Sequence, residues 1–523
     1  MRSLHLRLAA LLSGVIGLAL LGRAVAFPVD GDKTVLPVAT ELNEDALDKP
    51  REVFQSERTG AKSYLVNLGD LAFNSPGLLG DVARQAGVSC GTCHVNGANN
   101  AKFFMPKMSS RPGTFDTTGP LFNPKANNLA FDPVRIPSLR GARYLAPYGA
   151  DGRFASLRDF VHNVITNEFA GPEPSPATLD AIVAYIHDID FLPNPSLGPA
   201  GRLAGKISDA ERRGEALFAK PFPHDPSLSC AGCHVPSSGF LDHQQHDIGS
   251  GGLFKTPTLR NADFNAPYFH DGRFDNYNQV VDYFDRTFQL DLSAQDKGDL
   301  VAYLTAVGDG AQPYERDGAG ATLNEINDFS MVLATAIPAG DKDIVALAVD
   351  TIGRELRELT EQYPDRKNTS VSGGEQQRVL ARNGLKELVL TLRRIEMAVA
   401  AGRNADAATE FRNYRNLMAA AVPALLASAE PWSLFNQDVH DQHYAALRQV
   451  MRSRHLSRRL HCSVMILRSA AWRGCSINFL SLIASLNRGA AAQRQMSPQK
   501  IFERFEISRA FSRKRKACVI LSH

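Results

Sequence analysis

The sequence predicts a mainly α-helical protein in which two duplicated domains are followed by a C-terminal helical bundle. Three observations support this fold class. Two short cysteine-histidine motifs lie 140 residues apart, an 18-residue block occurs twice, and helical periodicity continues beyond the second copy. Because self-similar segments indicate a repeated structural unit, both copies are expected to fold in the same way.

The composition is that of an ordinary globular protein. Its 523 residues are 44% hydrophobic and 22% charged, which permits sizeable cores and excludes wholesale disorder. The net charge of +3 hides an asymmetry, because residues 451–523 contain 15 Lys/Arg and 2 Glu. The chain before this tail is therefore mildly acidic, and nothing in it indicates a nucleic-acid partner.

The N-terminus predicts export. Arg2 and Arg7 precede an apolar stretch at residues 8–21, and the small-x-small sequence Ala24-Val-Ala26 follows. These three parts predict a secretory signal peptide at residues 1–26, with an uncleaved anchor as the alternative. Since no later run approaches about 18 apolar residues, we expect a soluble exported protein in the periplasm.

Four of the seven cysteines lie in two C-x-x-C-H motifs, which are the attachment signature of c-type haem. The motifs are Cys90-Gly-Thr-Cys93-His94 and Cys230-Ala-Gly-Cys233-His234. Two thiols add to the haem vinyl groups, and the adjacent imidazole ligates the iron. A zinc ribbon needs closer spacing, while two disulfides, the remaining alternative, leave both histidines unexplained. The motifs predict two covalently bound c-type haems with His94 and His234 as iron ligands.

The repeated block gives the domain organisation. Residues 137–154 match residues 257–274 at 11 of 18 positions, and a helical pattern follows each block. The predicted domains are an N-terminal cytochrome c-like haem domain at 27–200 and a second one at 201–312. A Pro/Gly-rich linker near residues 194–205 marks their boundary.

Residues 313–446 are rich in Ala, Leu and Glu at helical spacing, which predicts an appended bundle of unknown role. Within it, Ser372-Gly-Gly-Glu375 and the next three residues reproduce the signature of ABC-transporter ATPases. No phosphate-binding loop accompanies this signature in the sequence, so ATP is excluded as a ligand. Ser372 is interpreted instead as the N-cap of a helix, with Glu375 three residues later.

Residues 447–523 change abruptly to a basic, Arg- and Ser-rich composition with three scattered cysteines, Cys462, Cys475 and Cys518. One interpretation is a disordered stretch of little structural value. The other is a tail that binds a membrane surface or a partner.

Further motifs carry a family resemblance. The paired C-x-x-C-H motifs, Lys255-Thr-Pro-Thr-Leu-Arg-Asn261 and Ala266-Pro-Tyr-Phe-His-Asp-Gly272 resemble the bacterial di-haem cytochrome c peroxidases and their relatives that mature a tryptophan-derived quinone. The resemblance covers about residues 50–310. It implies an oxidoreductase that reduces hydrogen peroxide to water with electrons from a small cytochrome c or cupredoxin. The alternatives are an oxidase that modifies a protein or an organic substrate, and a non-enzymatic electron carrier.

In that family, a glutamate about 15–20 residues after the first Asp-Gly-Arg moves a proton between the peroxide oxygens. Glu168 follows residues 151–153 at this distance. The resemblance therefore implies that Glu168 is the catalytic acid/base of the first haem; a solvated residue at a helix end is the alternative. His162, if it is not an ordinary surface or core residue, and Met105 or Met108 are candidates to cap the same iron in an inactive form.

The second haem departs from the family pattern, because no methionine between residues 109 and 330 is present as a sixth ligand. Quinone-maturing relatives use a tyrosine in this region, and the resemblance implies that Tyr283 ligates the iron. The alternative is a vacant iron, or one capped by His243, His246 or His270.

Four arginines, Arg140, Arg153, Arg260 and Arg273, recur at equivalent places in the repeated blocks, and Arg140 and Arg260 are the first candidates for haem binding. Guanidinium groups suit haem propionates, although these arginines are equally suited to pinning the repeated turn through its own carboxylates. Ala150 stands where relatives have a tryptophan between the haems, so electron exchange must use another group, such as Tyr148. The family often holds an interdomain calcium ion, which stays an open expectation because no Asp-rich loop identifies a site.

Overall fold

The structure, a computed structural model, describes residues 35–43, 46–58, 60–365 and 371–446. The predicted signal peptide at 1–26 and the predicted basic tail at 447–523, with its three cysteines, lie outside the described residues. Over the described part of the chain the protein is mainly helical, as the sequence predicts.

We number the helices and strands of the described residues in chain order. The α-helices are α1 Tyr64–Phe73, α2 Gly80–Ala86, α3 Cys90–Cys93, α4 Leu157–Asn163, α5 Pro176–Asp188, α6 Asp209–Phe218, α7 Cys230–Cys233, α8 Tyr277–Phe288, α9 Ala294–Gly308, α10 Ala319–Ala339, α11 Lys342–Glu361, α12 Glu375–Ala400, α13 Asn404–Asn416 and α14 Val422–Ala429. Two π-helical segments adjoin them, Val164–Glu168 after α4 and Leu417–Ala421 before α14. The strands are β1 Asp48–Pro50, β2 Thr114–Phe115, β3 Val134–Arg135, β4 Gln245–Asp247, β5 Leu253–Lys255 and β6 Tyr314–Arg316. They pair antiparallel, β1 with β6, β2 with β3 and β4 with β5.

The same helix crossing occurs in both halves. In the first half α1 packs on α5, and in the second half α6 packs on α9. A glycine lets the backbones touch at each crossing. A Cβ atom on Gly69 would lie 1.9 Å from the Ala181 carbonyl oxygen, and one on Gly214 would lie 2.0 Å from the Asp299 carbonyl oxygen. Since no side chain fits at these distances, glycine is required at both crossings.

Gly69→Ala is expected to lower the free energy of unfolding by about 1–3 kcal/mol, because the two helices must move apart to admit a methyl group. Gly298→Ala is the matched control: Gly298 lies inside α9, and no atom lies within 4 Å of its missing Cβ. That control should be stabilised by up to about 1 kcal/mol through helix propensity. Urea denaturation of both variants measures the difference, and a Gly69→Ala protein as stable as the wild type would contradict the close crossing.

The repeated block has the same local structure in both copies. Cis peptide bonds precede Pro147 and Pro267. The hydroxyl of Tyr148 donates to the Ala142 carbonyl oxygen at 3.2 Å, and that of Tyr268 donates to the Ala262 carbonyl oxygen at 3.1 Å. Sequence identity in the two blocks therefore corresponds to the same turn, held by the same tyrosine hydrogen bond.

The two halves contact each other through equivalent residues. In the first half, the Arg135 backbone N–H donates to the His270 carbonyl oxygen at 2.7 Å, and the Arg135 guanidinium donates to the Asn265 carbonyl oxygen at 3.1 Å. Lys255, which lies at the equivalent position of the second half, donates its backbone N–H to the Ala150 carbonyl oxygen at 3.1 Å. Its ammonium group donates to the carbonyl oxygens of Leu145 and Pro147, both at 2.6 Å. The contact is thus reciprocal, as in an interface between two copies of one surface.

Helices α10 to α14 pack on one another. Phe329, Leu356 and Leu388 are fully buried in their core, which continues into Leu68 and Leu71 on α1. α10 also packs directly on α1. Helices α10 to α14 and the first half therefore share one hydrophobic core, which the sequence did not indicate. Among the described helices, none alone has both the length and the apolar character of a membrane span; Asn404–Trp432 meets these criteria only jointly with Gln437–Ala446, across a 64° bend.

The predicted N-cap at Ser372 is wrong. α12 begins at Glu375, and its N-cap is Gly374, whose φ is 57°. Gly373 is also left-handed, and a Cβ on Gly374 would lie 2.1 Å from the Trp432 ring. The two glycines thus turn the chain under an indole before the helix starts, which displaces the N-cap by two residues.

Candidate haem sites

Each C-x-x-C-H motif forms a single helical turn. α3 and α7 span the two motifs, and each histidine follows its turn with its backbone N–H bonded to the first cysteine's carbonyl oxygen at 2.9 Å. The four cysteines are free thiols and partly buried. Burial raises the pKa of the Cys90, Cys93 and Cys230 thiols to about 12. One turn of helix therefore holds two thiols beside an imidazole, which is the arrangement of a c-type haem attachment site.

Backbone carbonyls orient both motif histidines. The Nδ1 of His94 lies 2.9 Å from the Pro137 carbonyl oxygen, and the Nδ1 of His234 lies 3.4 Å from the Phe240 carbonyl oxygen. Because a carbonyl only accepts, Nδ1 carries the proton in this arrangement and the Nε2 lone pair is left for a metal. Burial lowers the pKa of His94 to about 4 and also lowers that of His234, so both imidazoles are neutral, as iron ligands must be.

Glu168 lies in the π-helical segment at the end of α4, and its side chain is 10% exposed. Arg153 lies 3.4 Å from its Oε1, and the Asn163 side-chain amide donates to the same oxygen at 3.1 Å. Burial raises the pKa of Glu168 to about 6, against the opposing effect of the Arg153 cation. Glu168 is thus buried rather than a solvated helix end, and its pKa suits proton transfer near neutral pH.

Phe169, the residue after Glu168, lies in an aromatic and apolar cluster. Phe169 stacks on Phe115, with ring centroids 6.0 Å apart, and contacts Phe122 at 4.9 Å. Met105 and Met108 are buried in the same hydrophobic cluster, which the partly buried Cys90 and Cys93 join. The first motif and the segment that carries Glu168 therefore belong to one core.

The other candidate ligands of the first site differ in position. His162 is 37% exposed by side chain, and its Nε2 lies 2.9 Å from the Glu173 carboxylate. Its ring nitrogen therefore points to a surface carboxylate, which does not fit an iron-capping role. Met105 and Met108 remain candidates, because both are buried in the hydrophobic cluster against which the motif cysteines pack.

In the second half, the Tyr283 hydroxyl donates to the Ile248 carbonyl oxygen at 2.8 Å. The phenolic oxygen is thus engaged as a hydrogen-bond donor to a backbone carbonyl, an arrangement that does not fit the predicted tyrosinate ligand. Of the alternative histidines, His243 bonds through Nδ1 to the Ala146 carbonyl oxygen at 2.7 Å, and His270 stacks on Phe254 at 3.6 Å.

The third alternative, His246, lies close to the second motif. Its Nε2 lies 2.5 Å from the Asp242 carboxylate. Among the described residues, Cys233, Asp242 and His246 are the one histidine, cysteine and carboxylate group whose ligand atoms lie within 4.8 Å of one another. Since Cys233 is a predicted haem-attachment cysteine, this cluster belongs to the second haem motif.

The arginines divide into two kinds. Arg153 lies 3.0 Å from Asp151, and Arg273 lies 2.7 Å from Asp271, so these two pin their own turns. Arg140 is 3% exposed and donates to the Arg51 carbonyl oxygen at 3.2 Å, but its Nε is buried without a partner. No carboxylate in the described part of the chain pairs with Arg140, and burial lowers its pKa to about 10. A buried guanidinium without an anion fits a propionate, as the sequence predicts for this position.

Arg260 differs from its equivalent Arg140, because its guanidinium carbon lies 4.0 Å from the centroid of the Phe191 ring. This is a cation–π geometry. The predicted propionate contact of Arg260 stays a prediction. The expected calcium ion is also untested. Two cations, Arg135 and Lys255, lie at the contact between the halves. Their positive charge disfavours a calcium ion at that contact.

Comparisons with known proteins identify several similar sequences. Residues 209–315 match the family model described as di-haem cytochrome c peroxidase. This segment is similar to that family. Hydrazine synthase subunit gamma of Kuenenia stuttgartiensis is 26% identical over 361 residues, which are 56% of this chain and 93% of that protein. Methylamine utilization protein MauG of Methylorubrum extorquens is 26% identical over 288 residues, covering 46% of this chain and 76% of its own length.

Two further matches are shorter or purely structural. Cytochrome c peroxidase Ccp of Escherichia coli is 33% identical over 96 residues, which are 17% of this chain and 21% of that protein. A solved structure of the Kuenenia stuttgartiensis hydrazine synthase gives a TM-score of 0.36 at 22% identity, over 51% of this chain and 92% of that chain. The resemblance to the di-haem peroxidase family is confirmed, and haem and oxidoreductase chemistry are supported at the level of that family.

The residues present fit the haems of a di-haem peroxidase. The free thiols, the neutral imidazoles and the unpartnered Arg140 Nε match its vinyl groups, iron and propionates. Sequence reasoning missed one feature of both sites, an aromatic pair behind each motif histidine. Phe73 and Tyr185 lie behind His94, and Phe218 and Tyr303 lie behind His234. The shared tripeptide Val-Ala-Tyr, which ends at residues 185 and 303, was the available signal.

Proposed function

We propose that this chain is an exported, periplasmic di-haem c-type cytochrome that reduces hydrogen peroxide to water, with electrons from a small cytochrome c or cupredoxin. The observation that carries the proposal is Glu168, a buried carboxylate with a pKa raised to about 6 beside Arg153, in the same core as the first C-x-x-C-H motif. π-Helical segments such as Val164–Glu168 are frequent at functional sites.

The chain's own groups divide the work. Bound haem would supply a redox-active iron at which peroxide is reduced. Cys90 and Cys93 would hold the first haem by thioethers, with the His94 Nε2 directed to its iron. Glu168 accepts a proton from one peroxide oxygen and returns it to the other, which makes water the leaving group. Arg153 keeps the Glu168 carboxylate from becoming too basic to release that proton.

The second motif, with Cys230, Cys233 and His234, is proposed to hold the haem that receives electrons from the donor. The reciprocal contact between the halves supports a route from this haem to the first one. The Lys255 backbone donates to the carbonyl oxygen of Ala150, and the Lys255 ammonium lies 5.8 Å from the Tyr148 ring. A hydrogen bond and an aromatic ring therefore lie where relatives place a tryptophan.

An anaerobic optical titration of the purified holoprotein tests the proposal. The reduced protein is expected to be oxidised quickly by one equivalent of peroxide, with stoichiometric loss of peroxide. Two low-spin haems that ignore peroxide in every redox state would contradict the peroxidase and indicate an electron carrier.

A second candidate function is an oxidase that modifies a protein or an organic substrate. It is favoured by the match to MauG, which covers 46% of this chain. Product analysis with and without an external reductant distinguishes the two functions. A peroxidase consumes the reductant, whereas the oxidase leaves a modified substrate and needs none.

A further inference from the structure

Tyr185 connects the first motif to a buried acidic network. Its ring centroid lies 5.1 Å from that of Phe73, which in turn lies 6.4 Å from that of His94. Tyr185 is 1% exposed and Phe73 is 3% exposed. A continuous line of buried aromatic rings therefore runs from the predicted iron ligand to the Tyr185 phenol.

The Tyr185 hydroxyl is bonded to a base. It donates to the Glu52 carboxylate at 3.0 Å. Burial, and next the neighbouring Asp70, raise the pKa of Glu52 well above that of an ordinary carboxyl. Asp70 is itself 4% exposed and is held by Lys62 at 2.9 Å. Above a pH of about 8, Glu52 is ionised and is then a stronger proton acceptor than an ordinary carboxylate, within hydrogen-bond reach of a phenol.

The second half provides an internal comparison. Phe218 lies between His234 and Tyr303 with ring centroids 6.3 and 4.9 Å apart, nearly the geometry of the first half. Tyr303, however, makes no hydrogen bond to a carboxylate among the described residues. Packing on the helix crossing therefore explains a tyrosine in both halves, but it does not explain the Glu52 and Asp70 carboxylates, whose burial costs stability.

We propose that Tyr185 is a redox-active residue that supplies an electron to the first haem site through Phe73 while its phenolic proton moves to Glu52. The inference rests on the proposed peroxidase function. Reduction of one hydrogen peroxide to two waters takes up two electrons and two protons, which leaves the protein two electrons short when no donor is present. Tyr185 replaces one of these electrons: its O–H bond breaks, the proton forms an O–H bond on Glu52, and a neutral tyrosyl radical remains.

The test is freeze-quench electron paramagnetic resonance of the full-length holoprotein at a pH of about 9, where Glu52 is ionised, after one equivalent of peroxide and without a donor. Wild type and Tyr303→Phe are expected to give a tyrosyl signal that narrows when the protein is made with ring-deuterated tyrosine. Tyr185→Phe is expected to lose this signal while keeping both haem absorption bands. Glu52→Gln, which retains Tyr185, should lower the radical yield because the proton has no acceptor.

Peroxide consumption is measured in the same samples, so that the two proposals fail separately. Peroxide loss with no tyrosyl signal, or with a signal that persists in Tyr185→Phe, would overturn the role of Tyr185 and leave the peroxidase standing. If Tyr185→Phe does not fold, Glu52→Gln provides the test. An undiminished tyrosyl signal in that variant would overturn the proposed proton transfer from Tyr185 to Glu52. A wild type that consumes no peroxide would overturn both proposals.

Discussion

Glu168→Gln is expected to reduce peroxide turnover by about 10²–10⁴-fold, the usual contribution of a positioned acid/base group. The substitution removes the proton acceptor but keeps the shape of the side chain. The glutamine oxygen can still accept from the Asn163 amide, which now lies 3.1 Å from the Glu168 Oε1. Both haems should therefore remain, and steady-state peroxide consumption at saturating donor measures the loss.

Glu173→Gln is the matched control. Glu173 follows Glu168 closely in the chain, but its side chain is 74% exposed and pairs with His162. It therefore lies near Glu168 in sequence but outside the site that contains Glu168. Its turnover should equal that of the wild type. Full activity in Glu168→Gln would remove this residue from the mechanism, whatever the control shows.

The pH profile gives an independent check on Glu168. Its pKa is raised to about 6, and the carboxylate form must begin the reaction, so turnover should rise with pH through about 6 and fall below it. The Arg153 cation lowers this pKa. In Arg153→Gln the rise in turnover should therefore occur at a higher pH. If the pH at which turnover rises were the same in Arg153→Gln as in the wild type, the group that titrates there would not be Glu168.

The sequence predicted much of this architecture because the repeat is local. The C-x-x-C-H motifs and the repeated blocks place their key residues within single turns, so their structure follows from short-range rules. The N-cap at Ser372 was wrong for a tertiary reason. Trp432 packs on Gly374 and delays the start of α12, and this contact joins residues that are far apart in the chain.

The sites show the same limit. Glu168 lay at a family spacing, but its burial and its Arg153 and Asn163 partners appear only in three dimensions. Tyr283 was chosen by a similar spacing, and its bond to the Ile248 carbonyl oxygen depends on a loop that no periodicity describes. Tyr185 could be found only through the shared tripeptide, and its chemistry could not be predicted, because its acidic partner Glu52 lies 133 residues earlier in the chain.

The reciprocal contact between the halves predicts a pH-dependent stability. Burial, and next the Arg135 cation, lower the pKa of Lys255 from 10.5 to about 8. Between these values the unfolded chain binds more protons than the folded one, so the free energy of unfolding should rise with pH. At about 1.4 kcal/mol per pKa unit, this contribution reaches about 3 kcal/mol. Urea denaturation at pH values from about 7.5 to 10.5 measures it.

Lys255→Arg isolates this contribution from other groups that titrate in the same range. Arginine occupies the equivalent position in the first half, where Arg135 reaches the Asn265 carbonyl oxygen at 3.1 Å, so the variant should keep the contact. Because a guanidinium does not titrate below pH 11, the rise attributed to Lys255 should disappear. Lys297→Arg, at a surface lysine that pairs with Asp282 and Asp285, should keep the rise. If the wild type and both variants gained the same free energy of unfolding over this pH range, the rise would not come from deprotonation of Lys255.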